Sequence, residues 1–89
     1  MLKFVKEKNG FKSYQSERGF KIYYGDKGSI AGDNNINPEE VIYLINGKIR
    51  IIIDDKIDEF NFPAEIKIPA KIYHKLEALT DVTFIVFEK

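Results

Sequence analysis

Apolar and polar residues alternate along most of this chain, and the apolar ones are chiefly Ile, Tyr and Phe. Because successive side chains of a β-strand point to opposite faces, this period of two predicts strands that each bury one face. Branched and aromatic side chains also favour pleated sheet. Nine strands are predicted, over residues 2–5, 11–15, 20–25, 40–46, 48–53, 56–62, 65–69, 71–78 and 82–88. No segment has the period of a long helix, so we predict an all-β fold.

The breaks between the predicted strands contain the residues of tight turns. Asn-Gly stands at 9–10 and 46–47, and Asp-Asp at 54–55. Many short strands separated by such turns are typical of a β-sandwich or β-barrel. Residues 28–40 contain few strand-forming residues and are predicted as a loop or an irregular strand. The last strand, VTFIVF at 82–87, is apolar on both faces, which predicts a central position in its sheet.

Composition limits the classes of protein to which the chain can belong. Its 89 residues predict a single domain over 1–89, made of N-terminal strands in 1–27 and a longer region in 28–89. The chain has 14 basic and 14 acidic residues, so no broad electrostatic field attracts it to nucleic acid or to an anionic membrane. The absence of cysteine excludes disulfides, zinc ribbons and thiol chemistry. The first ten residues contain no apolar run of signal-peptide length, so we expect a cytoplasmic protein.

The single histidine lies on the apolar side of a predicted strand. In IPAKIYHKLEA, residues 68–78, Ile72, His74 and Leu76 share one face of the strand. A histidine in that position is either a metal ligand or acid-base group, or a core residue whose ring nitrogens are satisfied by hydrogen bonds. The alternation of the strand does not distinguish these two hypotheses.

Two series of residues stand at the spacing of known motifs. The first series, which follows the pattern G-x5-H-x-H-x3–4-E-x6-G, is Gly28, Asn34, Ile36, Glu40 and Gly47. The second series, which follows G-x5-P-x-G-x2-H-x3-N, is Pro63, Pro69, Lys71, His74 and Ala78. Over its last two thirds the chain therefore resembles the cupin superfamily, although both glycines and the asparagine of the second motif are replaced. The resemblance implies a cupin-like jelly-roll β-barrel.

The same resemblance implies a degenerate metal site. In metal-binding cupins the two histidines and the glutamate of the first motif, with the histidine of the second, hold a divalent metal inside the barrel. Glu40 and His74 are retained here, Asn34 is a changed but polar position, and Ile36 has no donor atom. Since a tight site needs three or four protein ligands, Glu40, His74 and Asn34 are expected to hold a divalent metal weakly at most. No other cofactor is predicted.

The predicted function is the binding of a small polar molecule, such as a sugar or an organic acid, inside the barrel. The residues predicted to line this pocket are Asn34, Ile36, Glu40, Ile42, His74 and Leu76. The alternative is a metal-dependent or metal-free enzyme of the isomerase, epimerase or dioxygenase type, with His74 and Glu40 as candidate catalytic residues. A metal-free reaction also requires a proton donor such as a tyrosine, but by strand parity Tyr43 and Tyr73 face away from Glu40 and His74.

Size and resemblance predict a homodimer, and the balanced charge predicts no membrane partner. Residues 1–5, MLKFV, form a short apolar strand that can pair with a second copy and cover an exposed sheet edge. A third alternative for function comes from residues 10–28, where aromatic and basic residues interleave as in proteins that bind single-stranded nucleic acid. An aromatic core face with lysines outside explains that pattern equally well. The balanced charge and the lack of an RNA-binding motif favour the core.

Overall fold

Ten β-strands build the protein in a computed structural model, which describes residues 1–32 and 38–88. The strands are β1 (Leu2–Lys8), β2 (Phe11–Ser16), β3 (Phe20–Gly25), β4 (Ile30–Ala31), β5 (Glu40–Asn46), β6 (Lys48–Ile53), β7 (Lys56–Asn61), β8 (Ala64–Ile68), β9 (His74–Ala78) and β10 (Val82–Glu88). They form two antiparallel sheets, ordered β1-β2-β3-β10-β5-β8 and β4-β9-β6-β7. Neither described range contains a helix, and so none that could cross a membrane. The predicted all-β fold is confirmed.

The turns lie where the sequence predicts them. The Asn-Gly turn at 9–10 joins β1 to β2, and the Asp-Asp turn at 54–55 joins β6 to β7. Gly47, between β5 and β6, has a φ of +89°, and a Cβ added there would overlap the carbonyl oxygen of Asp81. Only glycine fits that position, because it tolerates a left-handed backbone and brings no side chain.

Strand β9 begins at His74, three residues later than predicted. A turn covers residues 70–71, and Lys71 has a φ of +58°, a left-handed conformation that is incompatible with an extended strand. Lys71 occupies a position where the second cupin motif has glycine, the residue that adopts this conformation without strain. Strand β1, by contrast, is longer than predicted, because it continues to Lys8 instead of ending at residue 5.

The apolar core lies between the two sheets. The buried apolar side chains are Phe11, Ile42, Leu44, Ile49, Ile51, Ile66, Ile68, Leu76, Ala78, Val82, Phe84 and Val86. These residues alternate along their strands, so each strand contributes its inward face. Strand β10 lies between β3 and β5, which confirms the predicted central position of the last strand.

Strand β1 is an edge strand with an irregularity at Val5. It pairs only with β2, and all seven of its residues are exposed. Phe4 is opposite Tyr14, whereas Lys6 is opposite Ser13, so the register shifts between them. Such a bulge inserts one residue and changes the face to which the following side chains point.

The outer face of the six-stranded sheet is rich in aromatic rings. Ring centroids lie 5.5–5.9 Å apart in the pairs Phe4–Tyr14, Tyr14–Tyr24, Phe20–Phe87 and Tyr43–Phe87. The aromatic residues of 10–28 are therefore divided, because Phe11 and Tyr23 face inward while the other three face outward. The interpretation of that segment as one aromatic core face is correct only for the inward pair.

Candidate functional site

A cavity of about 290 Å³ lies on the inner face of the six-stranded sheet. Its buried apolar lining is Phe11, Ile42, Leu76, Phe84 and Val86. Its polar lining includes Ser13, Tyr23, Glu40 and His74, and the exposed Lys6, Lys8, Asn9 and Glu88 mark where it meets solvent. The volume equals that of about ten water molecules, so the cavity has room for a small metabolite.

His74 faces this cavity with both ring nitrogens partnered. The residue is 6% exposed, and its Nε2 lies 3.5 Å from Oε1 of Glu40. Its Nδ1 lies 3.3 Å from the carbonyl oxygen of Ile72, in the segment that precedes β9. Buried polar groups need such partners, so the fold itself fixes the orientation of the imidazole. His74 and Glu40, both predicted to line the pocket, contact each other there.

Glu40 is the first residue of β5 and lies on the same inward face as Ile42 and Leu44. Burial raises the pKa of its carboxyl group, His74 opposes that rise, Glu88 adds to it and Lys21 opposes it. Because burial outweighs the nearby positive charges, Glu40 keeps its proton to a higher pH than an exposed glutamate does. A carboxyl group in that condition can hold or transfer a proton inside a cavity.

Tyr23 of β3 is the site residue that the sequence analysis overlooked. It lines the cavity and stacks on Phe84, with ring centroids 4.9 Å apart. Burial is the main cause that raises the pKa of its hydroxyl, and the charges of Glu40 and Glu88 raise it further. Tyr43 and Tyr73 are 37% and 41% exposed, in agreement with their predicted parity. The cavity therefore contains a tyrosine hydroxyl, but it is that of Tyr23 in β3 and not that of Tyr43 or Tyr73.

Gly32 borders the ring of His74. A Cβ added to this residue would lie 3.0 Å from Nε2, and its φ is +73°. Both observations favour glycine, which allows the backbone to approach the imidazole closely. Four of the six predicted pocket residues, Glu40, Ile42, His74 and Leu76, line the cavity, while Asn34 and Ile36 lie outside the described residues.

The described donors do not fit a tight metal centre. Within 1–32 and 38–88, no three His, Asp or Glu side chains come together as a metal ion would require. Glu40 and His74 contact each other, and two donors fall short of the three or four that a first-row metal needs. The third candidate, Asn34, is outside the described ranges, so weak metal binding stays a prediction.

Comparison with known proteins identifies the fold. No protein-family model and no curated protein sequence matches this chain. Among solved structures, an RmlC-like cupin from Shewanella frigidimarina has a TM-score of 0.79 at 16% identity, with 96% of this chain and 80% of that chain covered. A Vibrio parahaemolyticus protein of unknown function has a TM-score of 0.80 at 10% identity, with 97% and 96% covered. A predicted oxalate decarboxylase from Thermotoga maritima has a TM-score of 0.77 at 16% identity, with 96% and 90% covered. The chain therefore has the jelly-roll fold of the cupin superfamily, as its two motifs predicted.

Proposed function

We propose that the cavity binds a small polar organic molecule, a sugar or an organic acid. The observation that supports this most strongly is that Glu40 and His74 are paired beside an open cavity rather than inside packed core. Burying such groups costs free energy that apolar side chains would not cost, so their presence there favours a role in recognition. An apolar lining with a few convergent polar groups is also the common composition of ligand sites.

The cavity lining has an aromatic surface and a group of polar side chains, each of which can contact a different part of a ligand. The Tyr23–Phe84 stack offers a flat aromatic surface to the carbon skeleton of a ligand. His74 and Glu40 together offer one donor and acceptor set for hydroxyl or carboxyl groups, and the Tyr23 hydroxyl offers another. The volume of about 290 Å³ suits a ligand of the size of a simple sugar or a hydroxy acid.

A proton-transfer enzyme is the second candidate, and Tyr23 is the observation that favours it. A metal-free isomerase or epimerase needs a base and an acid, which the Glu40–His74 pair and Tyr23 would supply. Burial raises the pKa of Tyr23, so its hydroxyl stays protonated at neutral pH and can donate a hydrogen bond to a ligand. The described donors give no comparable support to a metal-dependent reaction.

We also propose that the protein pairs with a second copy through the outer face of the six-stranded sheet. Six strands spaced about 4.8 Å apart and about 20 Å long present about 600 Å² per subunit. Two such faces bury about 1,200 Å², the lower limit for a specific interface. The exposed aromatic pairs of this face supply the apolar surface, and β1 leaves one sheet edge unpaired.

A thermal-shift screen tests the binding proposal. Sugars, sugar acids and small hydroxy acids are added to the wild type, to Tyr23→Phe and to Tyr24→Phe. Binding should raise the melting temperature saturably, by RT ln(1 + [L]/Kd) in free energy, or about 2.7 kcal/mol at a hundredfold excess over Kd. Tyr23→Phe should weaken the effect, whereas Tyr24→Phe should not, because Tyr24 lies on the outer face. No shift with any compound would contradict the proposal.

Product analysis separates binding from catalysis. Any compound that shifts the melt is incubated with the protein and followed by proton NMR in D₂O. Recovery of the unchanged compound without deuterium incorporation supports a binding module. Exchange of a carbon-bound proton that Tyr23→Phe or His74→Gln slows would favour the enzyme instead.

A further inference from the structure

We propose that the ligand of this cavity is an anion, whose carboxylate or phosphate group is bound by Lys6 and Lys8 at the mouth. This inference rests on the proposed binding function and adds the charge of the ligand. The charged groups that line the cavity come from five different strands.

Within the described residues, each acidic group at the cavity already has a basic neighbour. Glu40 lies 3.5 Å from His74, and the carboxylate of Glu88 lies 3.4 Å from Nζ of Lys21. A ligand cation would find both carboxylates engaged. The acidic groups therefore do not make the cavity a site for positively charged molecules.

Among the described charged groups that line the cavity, Lys6 and Lys8 remain. Both line the cavity, both are exposed, and neither forms an ion pair within the described part of the chain. The whole chain has a formal net charge of zero, so this excess of positive charge is local. Two ammonium groups at the mouth of a partly apolar cavity attract anions and give their charge a partner on binding.

The bulge in β1 is the reason that these lysines point to the cavity. In a regular strand, residues 2, 4, 6 and 8 would share one face, and the lysines would join Phe4 on the outer side. The register shift instead places Lys6 opposite Ser13 and Lys8 opposite Phe11, two residues of the inner face. Bulges commonly redirect side chains beside functional sites.

Ser13 supports the shifted backbone from inside. It is 1% exposed and lines the cavity, and its hydroxyl donates a hydrogen bond of 3.5 Å to the carbonyl oxygen of Lys6. This contact ties the strand to its neighbour at the first residue after the bulge. The two lysines are thus held over the cavity by local structure.

Cavity size limits the anion to a small one. A volume of about 290 Å³ suits a hydroxy acid of four to six carbons or a triose phosphate, whereas a nucleotide is too large. The lysines bind either group, since an ammonium ion acts as a point charge toward carboxylate and phosphate alike. Matched probes can show whether the bound group is a carboxylate or a phosphate.

Calorimetric titration with paired probes tests the inference. Gluconate is compared with glucose, and glycerol 3-phosphate with glycerol, on the wild type, on Lys6→Gln/Lys8→Gln and on Lys12→Gln/Lys67→Gln. The second double variant removes the same charge from the outer face of the same sheet. We expect one anion of a pair to bind at least tenfold more tightly than its neutral partner and to weaken with salt. Lys6→Gln/Lys8→Gln should weaken that binding at least tenfold, and Lys12→Gln/Lys67→Gln less than twofold.

Three outcomes would overturn the inference. Equal affinity for the neutral probe, unchanged in Lys6→Gln/Lys8→Gln, would refute it while leaving the binding function intact. An equal loss in both double variants would show a general charge effect without a site. No binding of any probe, together with no shift in the wider screen, would refute the binding function as well.

Discussion

Replacing Lys71 by glycine is expected to stabilise the protein. Lys71 adopts a φ of +58° in the turn before β9, and a left-handed backbone costs a non-glycine residue about 1–2 kcal/mol. Glycine has no such cost, but it loses about 0.5–1 kcal/mol through the greater freedom of the unfolded chain. The exposed lysine side chain has no ion pair in the described ranges that its removal would break. The expected net gain is about 0.5–1 kcal/mol.

The gain is large enough to measure in thermal melts. The entropy of unfolding is about 190 cal/mol/K for 89 residues, so the melting temperature should rise by about 3–5 °C. Differential scanning calorimetry at pH 7 gives the value directly. Lys71→Ala is the matched control, since alanine keeps the left-handed cost and should leave the melting temperature nearly unchanged. A lower melting temperature for Lys71→Gly, or the same increase for both variants, would mean that position 71 is not strained.

Three further predictions concern the cavity and the outer face. Burial raises the pKa of Glu40, so the wild type loses stability as the pH rises past the ordinary pKa of glutamate. The melting temperature of Glu40→Gln should therefore rise relative to that of the wild type between pH 4 and pH 8. A difference in melting temperature that does not change with pH would contradict this prediction. His74→Ala should lower the free energy of unfolding, measured by urea denaturation, by about 2 kcal/mol, because it enlarges the cavity and removes the partner of Glu40. Lys75→Ala, on the other face of β9, should change the free energy of unfolding by less than about 0.5 kcal/mol. Tyr43→Lys should give monomers in light scattering where the wild type gives dimers; dimeric Tyr43→Lys would exclude the outer face as the interface.

Strand parity and the two motifs together predicted the centre of the site. Ile72, His74 and Leu76 share a face in any extended chain, and the inward position of Glu40 follows from that of Ile42 in the same way. The two motifs then indicated that these strands belong to one barrel. That Glu40 and His74 face one cavity could therefore be predicted, whereas their contact is seen in the structure.

The remaining site residues depend on information that alternation does not contain. Tyr23 has the parity of an inward residue, but only the pairing of β3 with β10 brings it beside Phe84 and the cavity. Lys6 and Lys8 have the parity of outward residues when counted from Phe4. The bulge reverses that parity, and no pattern of apolar and polar residues identified it.

The pairing of β1 with β2 alone has a consequence for the rate at which a ligand leaves the cavity. Its backbone pairs only with β2, and none of its side chains is buried, so it can separate from the sheet while the core hydrogen bonds stay intact. Lys6 and Lys8 would leave the cavity mouth in that event. The residence time of an anion held by them would then be set by local opening of one edge strand, and amide hydrogen exchange over residues 2–8 would slow when the ligand is bound.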